Sequence, residues 1–318
     1  MGNSLYLHAD LMVSVRCATY NHAPYIRQCL DGFVMQKTNF RFEVIVHDDA
    51  STDGTTDVVR EYAERYPDII KPMYEQTNQY SVDAKGMNER INSRLVGKYV
   101  AICEGDDYWT DPDKLQKQVD FLETHPDYSM CYHAVNYIKD GMVIRNDRLS
   151  EKECDVSVVQ MIRGGGYFCS TNSLCFKQNL YMNPPKYKQM ADTGDFPLQI
   201  HLALNGKVRY MPETMACYRV MAAGGWSAKA NKEIIPMAHF LNMKEWMQEL
   251  NSETKGRFQS VIYYFIVSLF FHPTKKKLFP RQEYLSLFRK ISIFSRDLPL
   301  RSKYRALKYF LFFKWSSK

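Results

Sequence analysis

Glu104, Asp106 and Asp107 set three carboxylates within four positions, with Gly105 among them. Carboxylates this close repel one another, so as structure alone the set costs stability. A hard divalent cation removes that cost, because it takes oxygen ligands; magnesium keeps part of its water and is completed by phosphates. Gly105 lets the backbone turn sharply, since it has no Cβ to clash. The plainer reading is a solvated acidic turn, with Asp111 capping a helix just downstream. A second acidic set, Asp48 and Asp49, runs into Ser51-Thr52-Asp53-Gly54, which is turn chemistry with a helix cap.

Pattern supplies the elements that must position these acids. Residues 12–17 form a short apolar run, read as a buried strand entering a loop at 18–21. Residues 42–46 are a second such strand and 98–103 a third, delivering the acids; 69–74 is weaker. Between them, 23–35 carries Ile26, Leu30, Phe33 and Val34 at helical spacing, and 55–66 and 82–95 are helical as well. Strands alternating with helices predict an α/β fold around a mostly parallel sheet covered on both faces. In such sheets ligands sit beyond the carboxyl ends of the strands. The polar loops 18–21, 48–53 and 104–107 all follow strand ends, so Asp48, Asp49, Asp106 and Asp107 are expected on one rim. No Gly-x-Gly-x-x-Gly follows the first strand, and no Walker-type loop is present. Gly164-Gly165-Gly166 follows no strand and reads as a plain loop. Further on, Pro112 opens a helix. Residues 128–138 read as a strand with 141–145 as its hairpin partner, 156–163 as a short helix and 172–176 as a short strand. A helix runs through Leu204, and 207–211 and 215–220 are two strands before a loop at 222–227.

At 318 residues there is room for one large domain or two small ones. Eight cysteines without a Cys-x-x-Cys pair, and histidines without zinc spacing, point to reduced thiols in a cytosolic protein. Residues 1–10 lack the basic-then-apolar pattern of a secretion signal. The net charge of +7 is uneven: residues 272–318 hold 13 Lys+Arg against 2 Asp+Glu. Such a tail implies an anionic partner. From residue 231 the composition turns to long helices. The apolar run 258–272 is shorter than the ~20 residues of a membrane span, so it is expected as a buried helix. Residues 299–318 interleave Tyr304, Leu307, Phe310, Leu311 and Trp315 with Arg301, Lys303, Arg305, Lys308 and Lys314. That is the composition of a helix lying on an anionic membrane surface; the alternative is a basic helix docked on the body.

The assembled pattern resembles the family 2 glycosyltransferases of the GT-A fold. It runs through Val13-x-Val15, Thr19-Tyr20-Asn21, Phe42-Glu43-Val44-Ile45-Val46, Asp48-Asp49-x-Ser51-Thr52-Asp53-Gly54-Thr55 and Gly97-Lys98-Tyr99 to Glu104-Gly105-Asp106-Asp107, then Thr193-Gly194-Asp195 and Tyr218-Arg219. The resemblance implies a Rossmann-like, mostly parallel sheet flanked by helices. It implies a transferase domain over 1–230, with a nucleotide-binding half (1–108) and an acceptor half (109–230), and a basic helical region over 231–318. It also implies an inverting transferase that moves a sugar from a nucleotide-diphosphate donor, UDP-linked, to a saccharide or lipid-linked acceptor in surface polysaccharide biosynthesis. Mn²⁺ or Mg²⁺ is the implied cofactor, and the cytoplasmic face of the membrane the implied place of action.

The same resemblance assigns roles. Ala18, Tyr20 and Asn21 line the nucleotide, with Tyr20 near the base; Asp49 accepts the uracil N3–H and Asp48 supports that loop. Asp106 and Asp107 approach ribose and metal, Asp107 as direct ligand. Glu104 stands where the family's metal motif commonly has its first Asp. Lys85 approximates the position of an Arg that reaches the diphosphate. Asp195 is the implied catalytic base, with Asp192 as competitor and helix capping as the alternative. Arg219 and Trp226 close over the diphosphate or sugar.

Other classes fit less well. A nucleotidyltransferase also needs acids around a metal, but no triphosphate loop follows the first strand. A degenerate nucleotide-sugar-binding scaffold is at odds with intact Asp106, Asp107 and Asp195. Nucleic acid is not expected as a partner, because the tail's aromatics sit among apolar residues.

Overall fold

Strand β1 (Leu11–Thr19) is buried along most of its length, which a central parallel strand requires. A computed structural model describes residues 11–220 and 237–270, together with Leu300 and Tyr304. After β1 come α1 (Ile26–Val34), β2 (Arg41–Asp48), α2 (Thr55–Arg65), β3 (Ile70–Tyr74), α3 (Gln79–Asn92) and β4 (Tyr99–Ile102). Each strand is returned to the same direction by a helical crossover. The four strands lie in the order β3-β2-β1-β4, all parallel. Their carboxyl ends therefore share one edge, and Asp48, Asp49, Asp106 and Asp107 all follow strands ending there.

The later strands are β5 (Tyr108–Trp109), β6 (Tyr128–Lys139), β7 (Met142–Asn146), β8 (Cys154–Val156), β9 (Cys175–Lys177) and β10 (Lys207–Arg219). They extend the sheet as β4-β9-β6-β10-β5, with β7 on β6 and β8 on β10, ten strands among the described residues. Strand β9 is antiparallel to both neighbours, while β6 and β10 are parallel to each other. The helices are α4 (Lys114–Thr124), α5 (Val158–Gly164), α6 (Gln178–Met182), α7 (Lys186–Met190), α8 (Asp195–Leu204), α9 (Met237–Glu253) and α10 (Gln259–Phe270).

The chain divides into two units. One comprises Met1–Val156, Cys169–Asn183 and Leu202–Glu233 and holds the whole sheet. The other comprises Ser157–Phe168, Pro184–His201 and Ile234–Lys318, and its regular elements among the described residues are all helices. The core of this second unit gathers Phe196, Trp246 and Phe265, with ring centroids 5.5 and 5.4 Å from Phe196.

Several boundaries differ from the pattern, each for a local reason. The two strands expected at 207–211 and 215–220 are one strand, β10, which bulges near Met211 and Thr214. Pro212 lies in that stretch and has no N–H to give the ladder. Val156 ends strand β8 instead of opening a helix; Ser157 caps α5 in a capping box with Gln160. Residues 171–173 make a 3₁₀ turn, so only the end of the expected strand at 172–176 is extended. Helix α3 starts at Gln79, earlier than periodicity predicts, because Asn78 and Asp49 both accept its first N–H groups. The apolar run near 258–272 forms α10, with Val261, Ile262 and Ile266 fully buried, and no described helix is long and apolar enough to cross a membrane. All eight cysteines are free.

Lys114 is fully buried in the sheet unit without a carboxylate partner. Its Nζ donates to Gln118 Oε1 at 2.6 Å and stands 4.0 Å from the centroid of the Trp109 ring. Burial pushes its pKa down from 10.5 to about 8. Below pH 8 both folded and unfolded chains hold this proton and the burial penalty is full. Between pH 8 and 10.5 the unfolded chain holds more protons, so the penalty is relieved as pH rises. Lys114→Met is therefore expected to be at least as stable as the wild type at pH 7. Its advantage should shrink from pH 8 to 10.5 in urea unfolding; an advantage that stays flat across that window contradicts the assignment.

Candidate active site

The acidic turn is built onto β1. Arg16, a charged residue inside that buried strand, donates through Nη1 to Glu104 Oε1 at 2.8 Å and through Nη2 to Asn88 Oδ1 at 2.6 Å. Burial opposes the charged guanidinium, but the Glu104 carboxylate outweighs it and Arg16 is held above its ordinary pKa. The second oxygen of Glu104 accepts the Ala18 N–H at 3.0 Å. Both Glu104 oxygens thus face β1. Gly105 follows with its N–H on the Ala18 carbonyl at 2.9 Å. A Cβ there would stand 2.6 Å from Thr19 Oγ1, so only glycine allows this approach.

Asp107 is buried. Its Oδ1 accepts the Arg219 backbone N–H at 2.8 Å and its Oδ2 accepts Asn172 Nδ2 at 3.2 Å. Both donors are neutral. Burial first, then the Asp106 charge, pushes the Asp107 carboxyl well above its ordinary value, with Arg219 opposing. The Asp106 side chain is partly exposed and accepts no hydrogen bond among the described residues. Arg219 closes the turn from β10: its guanidinium lies 4.9 Å from the Tyr25 ring centroid and 4.7 Å from that of Tyr108. It donates to the Asp106 carbonyl and to Gln28 Oε1.

The neighbouring loop separates two adjacent acids by task. Asp48 turns inward on its own loop, accepting Ser51 N–H, Ser51 Oγ and Thr56 Oγ1. Asp49 reaches forward and accepts Gln79 N–H at 2.6 Å and Tyr80 N–H at 3.0 Å at the start of α3. Asn21, at φ 54°, accepts the Thr52 N–H at 2.9 Å, while its own N–H donates to Ser51 Oγ at 2.9 Å. Asn and Asp tolerate that left-handed backbone best among non-glycine residues. Tyr20 is exposed beside them. Lys85 sits exposed on α3, one turn before Asn88. The first unit thus gathers Ala18, Tyr20, Asn21, Asp48, Asp49, Glu104, Asp106, Asp107 and Arg219 on one rim.

Asp195 and Asp192 belong to the second unit. Asp195 opens α8, its Oδ1 accepting the Phe196 N–H at 2.8 Å, and burial raises its carboxyl pKa. Asp192 is tied differently: Oδ2 bonds His239 Nδ1 at 2.7 Å, and its N–H donates to Asn242 Oδ1 at 2.9 Å. Trp226 lies outside the described residues, as does the basic stretch 299–318 apart from Leu300 and Tyr304.

Asp106 and Asp107 offer carboxylate oxygens and Asn172 an amide oxygen beside them, which suits a hard divalent cation. Two observations fit such an ion. Asp107 is a buried carboxylate held only by neutral donors, and Asn172 Oδ1 beside it is buried without a partner among the described residues. Among those residues no group of three or more His, Cys, Asp or Glu side chains stands ready to hold a metal, so an ion here would draw on other oxygens as well. Arg16, Gln28, Asn172 and His239 were not singled out from sequence. Only Arg16 carried a signal, since a charge in the middle of an apolar strand requires a buried partner.

A parallel half-sheet with an acidic turn and a capped acidic loop on its carboxyl rim defines a GT-A glycosyltransferase. The chain belongs to glycosyl transferase family 2, whose family model matches residues 14–180. An uncharacterised protein of Mycobacterium tuberculosis is 39% identical over 218 residues, covering 67% of this chain and 60% of the relative, so the match spans well under the relative's full length. Similarity extends to WfaP of Escherichia coli, a UDP-Glc:α-D-GlcNAc-diphosphoundecaprenol β-1,3-glucosyltransferase. It is 27% identical over 262 residues, covering 82% of this chain and 95% of WfaP. Among solved structures, S. aureus TarS 1–349 in complex with UDP-GlcNAc superposes with a TM-score of 0.64. That match is 18% identical and covers 92% of this chain and 83% of TarS, and at this identity it bears on the fold.

Proposed function

We propose that this transferase is inverting and metal-assisted, moving a sugar from a UDP-linked donor to a hydroxyl of a saccharide or lipid-linked acceptor in surface polysaccharide synthesis. Residues 1–230 carry the transferase and 231–318 form an appended helical region. The observation that carries the reading is Asp107: a buried carboxylate on the nucleotide rim, beside a second carboxylate, with no cationic partner at its oxygens. WfaP, by its name, takes UDP-Glc and makes a β-linkage on a lipid-diphosphate-linked acceptor, and TarS was crystallised with UDP-GlcNAc; both support a UDP-sugar donor.

In this reading Tyr20 packs near the base, and Asp49 uses a remaining lone pair for the uracil N3–H. Ala18, Asn21 and Asp48 shape the loop that holds the nucleoside. Asp106 approaches the ribose, Asp107 ligates Mn²⁺ or Mg²⁺, and Lys85 reaches toward the diphosphate. The bound ion supplies Lewis-acid stabilisation of charge on the departing diphosphate. Glu104 positions the turn through Arg16, leaving ligation to Asp106 and Asp107. Arg219 braces Asp106 and Asp107 from the end of β10. Asp195 takes the acceptor proton as that oxygen bonds to the anomeric carbon and the bond to the diphosphate breaks. One displacement inverts the centre. Burial, by raising its pKa, moves Asp195 toward the range that a general base needs.

Three outcomes check this. UDP affinity measured by calorimetry should depend on Mn²⁺ or Mg²⁺, and Asp107→Ala should remove that dependence; unchanged metal-dependent binding rules out Asp107 as ligand. Asp195→Asn should keep UDP-sugar affinity and lose transfer by about 10²–10⁴-fold. Near wild-type transfer by the folded variant moves the role to Asp192 or elsewhere. The +11 net charge of residues 272–318, interleaved with aromatics after Leu298, supports peripheral attachment to an anionic cytoplasmic membrane face. Deleting 299–318 should weaken salt-sensitive co-sedimentation with anionic liposomes while sparing activity on a short soluble acceptor. Equal co-sedimentation of the truncated chain would show that the tail is no anchor.

A further inference from the structure

The three consecutive glycines at 164–166 end α5 and enter a 3₁₀ turn, Gly165–Tyr167, in the second unit. At the first two the need is steric: a Cβ on Gly164 would stand 2.3 Å from the Phe168 ring. Gly165 has φ +71°, a backbone that side chains rarely adopt, and a Cβ there would stand 3.0 Å from the Phe265 ring. A Cβ on Gly166 would stand 3.5 Å from the Cβ of Phe196. The turn is therefore seated directly on the aromatic floor of the unit, where Phe196 packs on both Trp246 and Phe265. The residue that follows this close contact, Tyr167, is 70% exposed. A rigidly placed backbone presenting a large aromatic ring to solvent is not what core packing requires.

The turn that carries it lies beside the start of α8. Phe196, on which the turn rests, directly follows Asp195. Burial of the hydroxyl end first, and then the Asp195 charge, raise the Tyr167 pKa. Three residues before Asp195, Asp192 Oδ2 accepts from His239 Nδ1 at 2.7 Å, and its carboxylate is 40% exposed. An exposed aromatic residue and a partly exposed carboxylate–imidazole pair thus both lie near enough to Asp195 to interact with it electrostatically. Pyranose rings offer an apolar C–H face and an edge of hydroxyls, and sites for them combine an aromatic platform with a few convergent polar groups.

We propose that Tyr167 is the stacking platform for the acceptor's sugar ring, with the Asp192–His239 pair addressing its hydroxyls, so that Asp195 meets the hydroxyl to be glycosylated. The proposal rests on the transferase reading of Asp195 and adds the class of molecule bound in front of it: a pyranoside, stacked on an aromatic ring. Recognition of the acceptor then belongs to the helical unit, apart from the nucleotide rim of the sheet unit.

The test uses the full chain with Mg²⁺ and UDP, and n-octyl glycosides of glucose, galactose and N-acetylglucosamine below their micellar concentrations. Saturation-transfer NMR should show at least one of them bound to the wild type through its ring protons. Tyr167→Ala should weaken that binding roughly tenfold, the size of one good aromatic contact; Tyr167→Trp should restore it. UDP affinity by calorimetry should be the same in all three proteins. Unmoved glycoside affinity in Tyr167→Ala, or no binding of any of the three glycosides to the wild type, overturns the proposal while intact UDP binding leaves the transferase reading standing. Failure of the wild type to bind UDP sinks the transferase reading and this one with it.

Discussion

The ion pair between Arg16 and Glu104 is the constraint on which the site depends. A guanidinium in the middle of a buried strand is tolerable only when paired and hydrogen-bonded. Glu104 supplies the pair at 2.8 Å, and it is also the first residue of the acidic turn. The core of the sheet therefore dictates where that turn begins. Gly105 then presses against Thr19, and Cys103 N–H extends the ladder to the Arg16 carbonyl at 3.0 Å. Asp106 and Asp107 emerge in a fixed direction because β1 and β4 leave them no other.

Buried charge is handled in three ways within one unit. Arg16 has an acid. Lys114 has an amide and an aromatic face, and burial depresses its pKa. Asp107 has two neutral N–H donors and a like-charged neighbour, the least compensated of the three. A chain whose local choices otherwise agree with its fold spends such a residue where function calls for it. Asn172 links two of these places: its Nδ2 serves Asp107 and the Cys217 carbonyl, while its backbone carbonyl accepts the Trp109 indole N–H at 2.9 Å. The ring of Trp109 in turn lies against Lys114, so the rim's acid and the core's base share a scaffold.

Adjacent acids in the second loop illustrate how little identity says about task. Asp48 spends both oxygens within its own loop, whereas Asp49 spends both on the first N–H groups of α3. The start of α3 is set from the same loop, and beyond a kink at Asp83 the same helix brings Asn88 to Arg16. The rim is one hydrogen-bonded assembly.

Much of this was legible before any coordinates. Apolar runs at 12–17, 42–46 and 98–103, separated by helical periodicity, determine parallel strands with their loops on one edge, since strand direction and crossover leave a single arrangement. That alone brings Asp48, Asp49, Asp106 and Asp107 to one rim, and glycine at 105 and 54 marks the turns. Tertiary structure decided the rest. That Glu104 faces β1, that Asn172 donates to Asp107, that β9 enters the sheet antiparallel and that β10 is one bulged strand all depend on contacts between residues 65 to 88 or more positions apart, or on register between strands. A side chain's periodicity records which face is buried, and says nothing about which distant partner it meets there.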